Sequence, residues 1–225
     1  MLRVILFDLD GTLMETAPEI ADAVNDTLRR RGHAPAAMAL VRGWIGDGAQ
    51  ALLAKALAHA GEPAGALADA WPGFADDYAA RCGSNSLVHD GVRDMLARLH
   101  AQGLQQVLLT NKETVFAQRL LQRHGLQDSF DLLVAGDTLA VKKPHPGVVL
   151  HALQALGVLP QQAMLVGDSS TEVRTARAAG IAVHLVRHGY PQGDLSGADA
   201  PDGFIAHFDQ FDPLALPTAA PVPGG

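Results

Sequence analysis

The chain has 225 residues, with 24 acidic against 17 basic side chains for a formal charge of −7, and 48 % of its residues are hydrophobic. That composition supports a buried core and excludes a disordered acidic tail, and the acidic balance argues against a domain that grips nucleic acid by charge. A single cysteine, Cys82, excludes an intramolecular disulfide framework and a cysteine-rich zinc site, and no stretch approaches the ~20 apolar residues of a membrane span. The apolar start from Met1 to Phe7 is too short for a signal peptide, so a soluble, cytoplasmic globular protein is expected.

Arg3–Phe7 reads as a buried parallel strand ending in acid. Thr16-Ala17-Pro18-Glu19 has the form of a capping box, with Ile20, Ala23, Val24, Thr27 and Leu28 along one helical face after it. The period recurs over Gly48–Ala60 through Leu52, Leu53, Ala56 and Leu57. It recurs again through Leu67, Trp71, Phe74 and Tyr78, where Pro72 is expected to kink or split the helix. Residues 15–85 thus show helical periodicity and no convincing strand.

From His89 the character changes. Val92, Met95, Leu96 and Leu99 line a helix that Gly103 can close, followed by a strand at Gln105–Leu109, a helix at Glu113–His124 and a strand at Asp131–Ala135. A helix at Pro146–Leu156, a strand at Ala163–Val166, a helix at Thr171–Ala179 and a last strand at Ala182–Val186 complete the series. The expected fold is α/β: a Rossmann-like, doubly wound parallel sheet with an inserted α-helical cap domain. The core takes residues 1–14 and 87–225, the cap 15–86, and the proline-rich end, 213–225, is an irregular tail.

Ligands of open parallel sheets bind at the carboxyl ends of the strands. Those ends carry Asp8-Leu9-Asp10-Gly11-Thr12, Thr110-Asn111-Lys112, a stretch leading to Lys142-Lys143-Pro144-His145-Pro146, and Gly167-Asp168-Ser169-Ser170-Thr171-Glu172. Crowded carboxylates repel unless a cation sits among them, and hard oxygen ligands favour Mg²⁺. A hydroxyl and a lysine add donors suited to the oxygens of a phosphoryl group. There is no Gly-x-x-x-x-Gly-Lys loop, no Gly-x-Ser-x-Gly elbow and no Gly-x-Gly-x-x-Gly loop. A carboxylate nucleophile beside a metal remains.

Asp8-Leu9-Asp10-Gly11-Thr12-Leu13, the Thr110 turn, Lys143-Pro144-x-Pro146 and Gly167-Asp168-Ser169 together resemble the four motifs of haloacid dehalogenase-type hydrolases, in the same order. Within the helical block, Glu15–Ile20 and Val41–Gly48 resemble phosphoglycolate phosphatases. The resemblance implies that Asp8 attacks phosphorus and becomes a phospho-aspartate, while Asp10 protonates the leaving alkoxide and then deprotonates water. It implies that Thr110 and Asn111 bind the phosphoryl group, that Lys143 neutralises it, and that Asp8, Asp10, Asp168 and Glu172 hold Mg²⁺. Glu172 stands where the family usually has Asp. Arg42 is a candidate for a substrate carboxylate, whereas Trp44, Trp71 and Cys82 read as packing and His145 as no base.

The implied reaction is Mg²⁺-dependent hydrolysis of a small anionic phosphomonoester, foremost 2-phosphoglycolate to glycolate and phosphate. Alternatives are a phosphatase for a sugar phosphate or amino-sugar 6-phosphate, a phosphosugar mutase, and a binding protein without turnover. No nucleic-acid or membrane partner is expected, and the protein is either a monomer or a homodimer.

Overall fold

The computed structural model describes residues 1–190 and 194–215. Its centre is a six-stranded parallel sheet built from β1 (Val4–Phe7), β4 (Gln105–Leu109), β5 (Leu132–Val134), β6 (Ala163–Gly167), β7 (Ala182–Val186) and β8 (Gly203–Ile205). The spatial order is β5-β4-β1-β6-β7-β8, so β1 lies between two strands that come much later in the chain. Every residue of β1, β6 and β7 is buried, which is why these segments read as continuous apolar runs.

Alternation along β1 divides the core into two layers. Ile5 and Phe7 join α5 (Val92–Ala101) and α6 (Thr114–Arg123) on one face, while Val4 and Leu6 join α7 (Gly147–Leu156) and α8 (Ser170–Ala179) on the other. Four helices, α1 (Ala17–Arg30), α2 (Met38–Trp44), α3 (Ala49–His59) and α4 (Ala66–Arg81), form a block between β1 and α5. Leu28, Leu53, Phe74 and Tyr78 of this block continue the first layer. A ribbon of β2 (Met14–Glu15) and β3 (Leu87–Val88) ties its two ends together.

Several local expectations give way to tertiary contacts. The Thr16 side chain caps no helical N–H: its hydroxyl donates to Asp10 Oδ1 at 2.6 Å. Glu19 accepts from the N–H groups of Gly83 and Asn85 at the far end of the block. The start of α1 is instead satisfied by the Tyr190 hydroxyl, which accepts from Thr16 N at 2.9 Å and Ala17 N at 3.1 Å. Pro72 does not divide α4. Its exposed ring sits beside a ladder of Trp71, Phe74 and Tyr78, with successive centroids 5.8 Å apart, and that packing holds the helix continuous.

The strands β2 and β3 have two residues each, too few to show a period, and β8 extends the sheet beyond the strand expected to be last. Helix α8 is capped by Ser169, whose side chain accepts from Thr171 N while Glu172 accepts from Ser169 N, a complete capping box. Of the expected tail, residues 216–225 lie outside the described residues. Among the described residues no helix is long and apolar enough to cross a membrane.

Candidate active site

Because β1 is flanked by β4 and β6, the residues just past all three strands share one rim: Asp8, Thr110 and Asp168. Lys143 arrives from the connection between β5 and α7. Its ammonium donates to Asp8 Oδ1 at 2.6 Å and to Glu172 Oε1 at 2.8 Å, with the lysine side chain 3 % exposed. Asp8, Thr110, Lys143, Asp168 and Glu172 are thereby brought together in one cleft, together with Asp10 and Asn111. The helical block forms the opposite, apolar wall through Ile20, Ile45, Leu52 and Phe74.

Four carboxylates, Asp8, Asp10, Asp168 and Glu172, face two ammonium groups, Lys112 and Lys143, in this cleft. Burial pushes the Asp8 carboxyl up to about 6; Lys143 opposes this while Glu172 and Asp10 add to it. Burial, with repulsion from Glu172 and Asp8, raises Asp168 well above the carboxylate range. Burial pulls the Lys143 ammonium down, but Asp8 and Glu172 more than offset it and hold the group above the ordinary lysine value. For Glu172 burial is outweighed by Lys143 and by the Ser169 hydrogen bonds, so its carboxyl lies below the usual range.

The donor set suits a hard divalent ion. Asp168 Oδ2 accepts from Tyr190 N at 2.6 Å and Asp8 Oδ1 from Lys143, so one carboxylate oxygen of each is already held in place. Among the described residues no group of three His, Cys, Asp or Glu side chains forms a ready-made cage. Two carboxylates completed by backbone oxygen, water and substrate phosphate is the pattern Mg²⁺ prefers. Both Glu172 oxygens have protein partners: Oε1 meets Lys143 and Oε2 accepts from Ser169 N at 3.1 Å and Ser169 Oγ at 2.6 Å.

Asn111 acts on the backbone. Its amide donates to Gly46 O at 2.9 Å and Lys143 O at 3.0 Å and accepts from Lys143 N at 2.9 Å, so it frames the turn that carries Lys143. Thr110 is buried, and its hydroxyl accepts from Lys112 N at 3.2 Å. Arg42 stands outside this cluster, 2.8 Å from Glu15 Oε2 and with its guanidinium 5.4 Å from the Tyr190 ring centroid.

Gly11 lets the backbone just after Asp10 pass close against Asp168 and Tyr190. Its φ of +82° is in the left-handed region, and a Cβ there would fall on Asp168 Oδ2 and 2.8 Å from the Tyr190 ring. Asp10 is held by Thr16 at one oxygen and by the Lys112 ammonium, 3.1 Å away, at the other. Lys112 also donates to the Tyr78 hydroxyl of α4. Burial pulls its ammonium down, but Asp10, with Cys82 and Glu19, carries it above the ordinary lysine value.

Lys112 and Tyr190 are thus site residues that sequence reasoning passed over. Lys112 stood in the Thr110-Asn111-Lys112 turn without a role. Tyr190 follows β7, so its place beyond a strand end is the signal that points to it.

The family profile of haloacid dehalogenase-like hydrolases matches residues 2–180. A phosphoglycolate phosphatase of Pseudomonas putida is 39 % identical over 203 residues, covering 88 % of this chain and 74 % of the relative. One of Yersinia pestis is 37 % identical over 220 residues, covering 96 % of this chain and 95 % of its own. The crystal structure of a predicted phosphoglycolate phosphatase from Haemophilus somnus superposes with a TM-score of 0.84 at 30 % identity, over 92 % of this chain and 95 % of that one.

Proposed function

Since the chain belongs to the haloacid dehalogenase-like hydrolases and is a phosphatase of phosphate monoesters, we propose that it hydrolyses 2-phosphoglycolate to glycolate and phosphate with Mg²⁺. The observation that carries the reaction is the Lys143 ammonium set between Asp8 and Glu172, which fixes the Asp8 carboxylate on the rim. The substrate is favoured by the relatives that bear the name phosphoglycolate phosphatase over nearly their whole length.

Asp8 attacks phosphorus in line, the P–O bond to the alkoxide breaks, and a phospho-aspartate forms. Asp10 delivers a proton to the departing oxygen and then takes one from the water that attacks the phospho-aspartate, releasing phosphate and restoring both carboxyl groups. Lys143 neutralises the phosphoryl oxygens, the Thr110 hydroxyl donates to one of them, and Asn111 and Glu172 hold Lys143 in place. The Asp8 and Asp168 carboxylates and the Asp10 carbonyl would hold Mg²⁺, which when bound offsets the negative charge shared by phosphate and carboxylates. The block at residues 15–86 serves as a cap whose apolar wall excludes bulk water from the phospho-aspartate.

The test is phosphate release from 2-phosphoglycolate, hexose 6-phosphates and an amino-sugar 6-phosphate, with Mg²⁺ and with excess chelator. A metal-dependent preference of ~100-fold for 2-phosphoglycolate, about 3 kcal/mol in the transition state, is expected. A preference for a sugar phosphate would retain the chemistry and replace the substrate.

A further inference from the structure

We propose that Lys112, paired with Tyr78, is the specificity residue that receives a second anionic group of the substrate, a carboxylate one or two carbons from the phosphoester oxygen. The inference deepens the phosphatase reading above and rests on it.

Lys112 is anchored just past β4, yet its side chain reaches the helical block. The ammonium lies 3.1 Å from Asp10 Oδ2, donates to the Tyr78 hydroxyl, and is 4.8 Å from the Tyr78 ring centroid. The side chain is 4 % exposed and lines the cleft. A buried ammonium is expensive unless its charge and its donors are satisfied. Asp10 and Tyr78 accept two of its three protons, and the cleft is where a third acceptor can enter.

Position decides what that acceptor can be. Asp10 works on the phosphoester oxygen, so a cation in contact with Asp10 lies about two hydrogen-bond lengths, roughly 5–6 Å, from that oxygen. A carboxylate on the adjacent carbon or the next one spans that gap. The neighbouring wall of Ile20, Leu52 and Phe74 offers no charge, so an anionic group on that side finds its charge-assisted hydrogen bond at Lys112.

The other cations nearby have different work. Lys143 is held by Asp8 and Glu172 at the phosphoryl end. Lys142 is paired with Glu113, with its side chain 36 % exposed. Arg42, the sequence-based candidate for this role, is engaged by Glu15 and lies beside Tyr190. Lys112 is the cation that combines burial, a place in the cleft wall and contact with both the core acid and the helical block.

The experiment compares kcat/KM for 2-phosphoglycolate and for its neutral amide in the wild type, Lys112→Met and Lys112→Arg. The wild type is expected to prefer the acid by ~100-fold. Lys112→Met should lose both activities to some degree because Asp10 loses a partner, but the acid-to-amide preference should collapse to within ~3-fold, with Lys112→Arg recovering part of it. Equal losses on both esters in Lys112→Met would overturn the assignment, leaving Lys112 a positioning residue for Asp10. A wild type that takes the amide as readily as the acid would overturn the substrate reading and, with it, this role. Should Lys112→Met fail to fold, Tyr78→Phe carries the test: a fall of ~3–10-fold in the same preference is expected, and an unchanged preference would overturn the pairing.

Discussion

Glu172 and Lys143 form an ion pair at 2.8 Å in which each side chain is 3 % exposed. The carboxylate is held from behind by the Ser169 N–H and hydroxyl at the start of α8, so it is a fixed strut against which the ammonium is set. Its two oxygens are thus divided between the lysine and the start of the helix.

That placement separates two effects of Glu172→Gln. Turnover is expected to fall ~10–100-fold as Lys143 loses its orientation, and stability by about 2–3 kcal/mol because one partner of a buried pair is neutralised. The Mg²⁺ concentration for half-maximal phosphate release should rise ~10-fold or less if Glu172 acts on the metal only through Lys143 and Asp8, and ~100-fold or more if it is a direct ligand. Mg²⁺ titration and urea unfolding of the same variant decide between them.

Asp8→Asn removes the attacking oxygen while keeping the shape of the side chain. Phosphate release should drop by ~10³-fold or more, with the thermal midpoint within a few degrees of the wild type. Activity comparable to the wild type would sink the covalent mechanism.

Gly11 and Gly103 have nearly the same φ, +82° and +78°, but different surroundings: a Cβ at Gly103 meets nothing within 4 Å, and one at Gly11 meets Asp168 and Tyr190. Gly103→Ala should cost about 1 kcal/mol from backbone strain alone, and Gly11→Ala about 3 kcal/mol with a large loss of activity. Urea midpoints of the two variants side by side isolate the contribution of the close approach.

His89 follows β3 and lies against His188, with ring centroids 4.1 Å apart and the rings tilted by 50°. Burial, with His188 adding to it and Glu15 and Asp90 opposing it, lowers its pKa from 6.5 to about 4. The unfolded chain then binds the proton first, so the contribution of neutral His89 is fully present above about pH 6.5 and is lost progressively as the pH falls towards about 4. Discounted for partial exposure, the loss is about 1–2 kcal/mol. Urea unfolding of the wild type and His89→Gln from pH 7.5 to 4.5 should show the wild type losing more stability by that amount.

The sheet and the rim were legible because both follow from short-range patterns. Apolar runs buried on two faces announce β1, β4, β6 and β7, and a parallel sheet sends whatever follows each strand to the same edge. Asp8, Thr110 and Asp168 could be brought to one edge from the order of residues for that reason, whereas Lys143, on the long connection after β5, was placed by the resemblance of its Lys-Pro motif. The ribbon of β2 and β3 was not legible, since two residues per strand carry no periodicity. The Thr16–Glu19 capping box failed because both side chains found partners elsewhere, Asp10 for one and the Gly83–Asn85 backbone for the other.

By itself, then, the sequence determined the α/β core, the helical insertion and the set of chemical groups at the strand ends, all properties of local hydrophobic pattern and chain order. Only the tertiary structure decided how those groups are paired: Glu172 with Lys143, Lys112 with Asp10 and Tyr78, and Tyr190 with the start of α1. Those partners lie up to 174 positions apart, and they meet because the sheet gathers its strand ends on one rim and the helical block packs over it. Local propensity carries no information about that packing, since it depends on how the apolar faces of separate elements fit together.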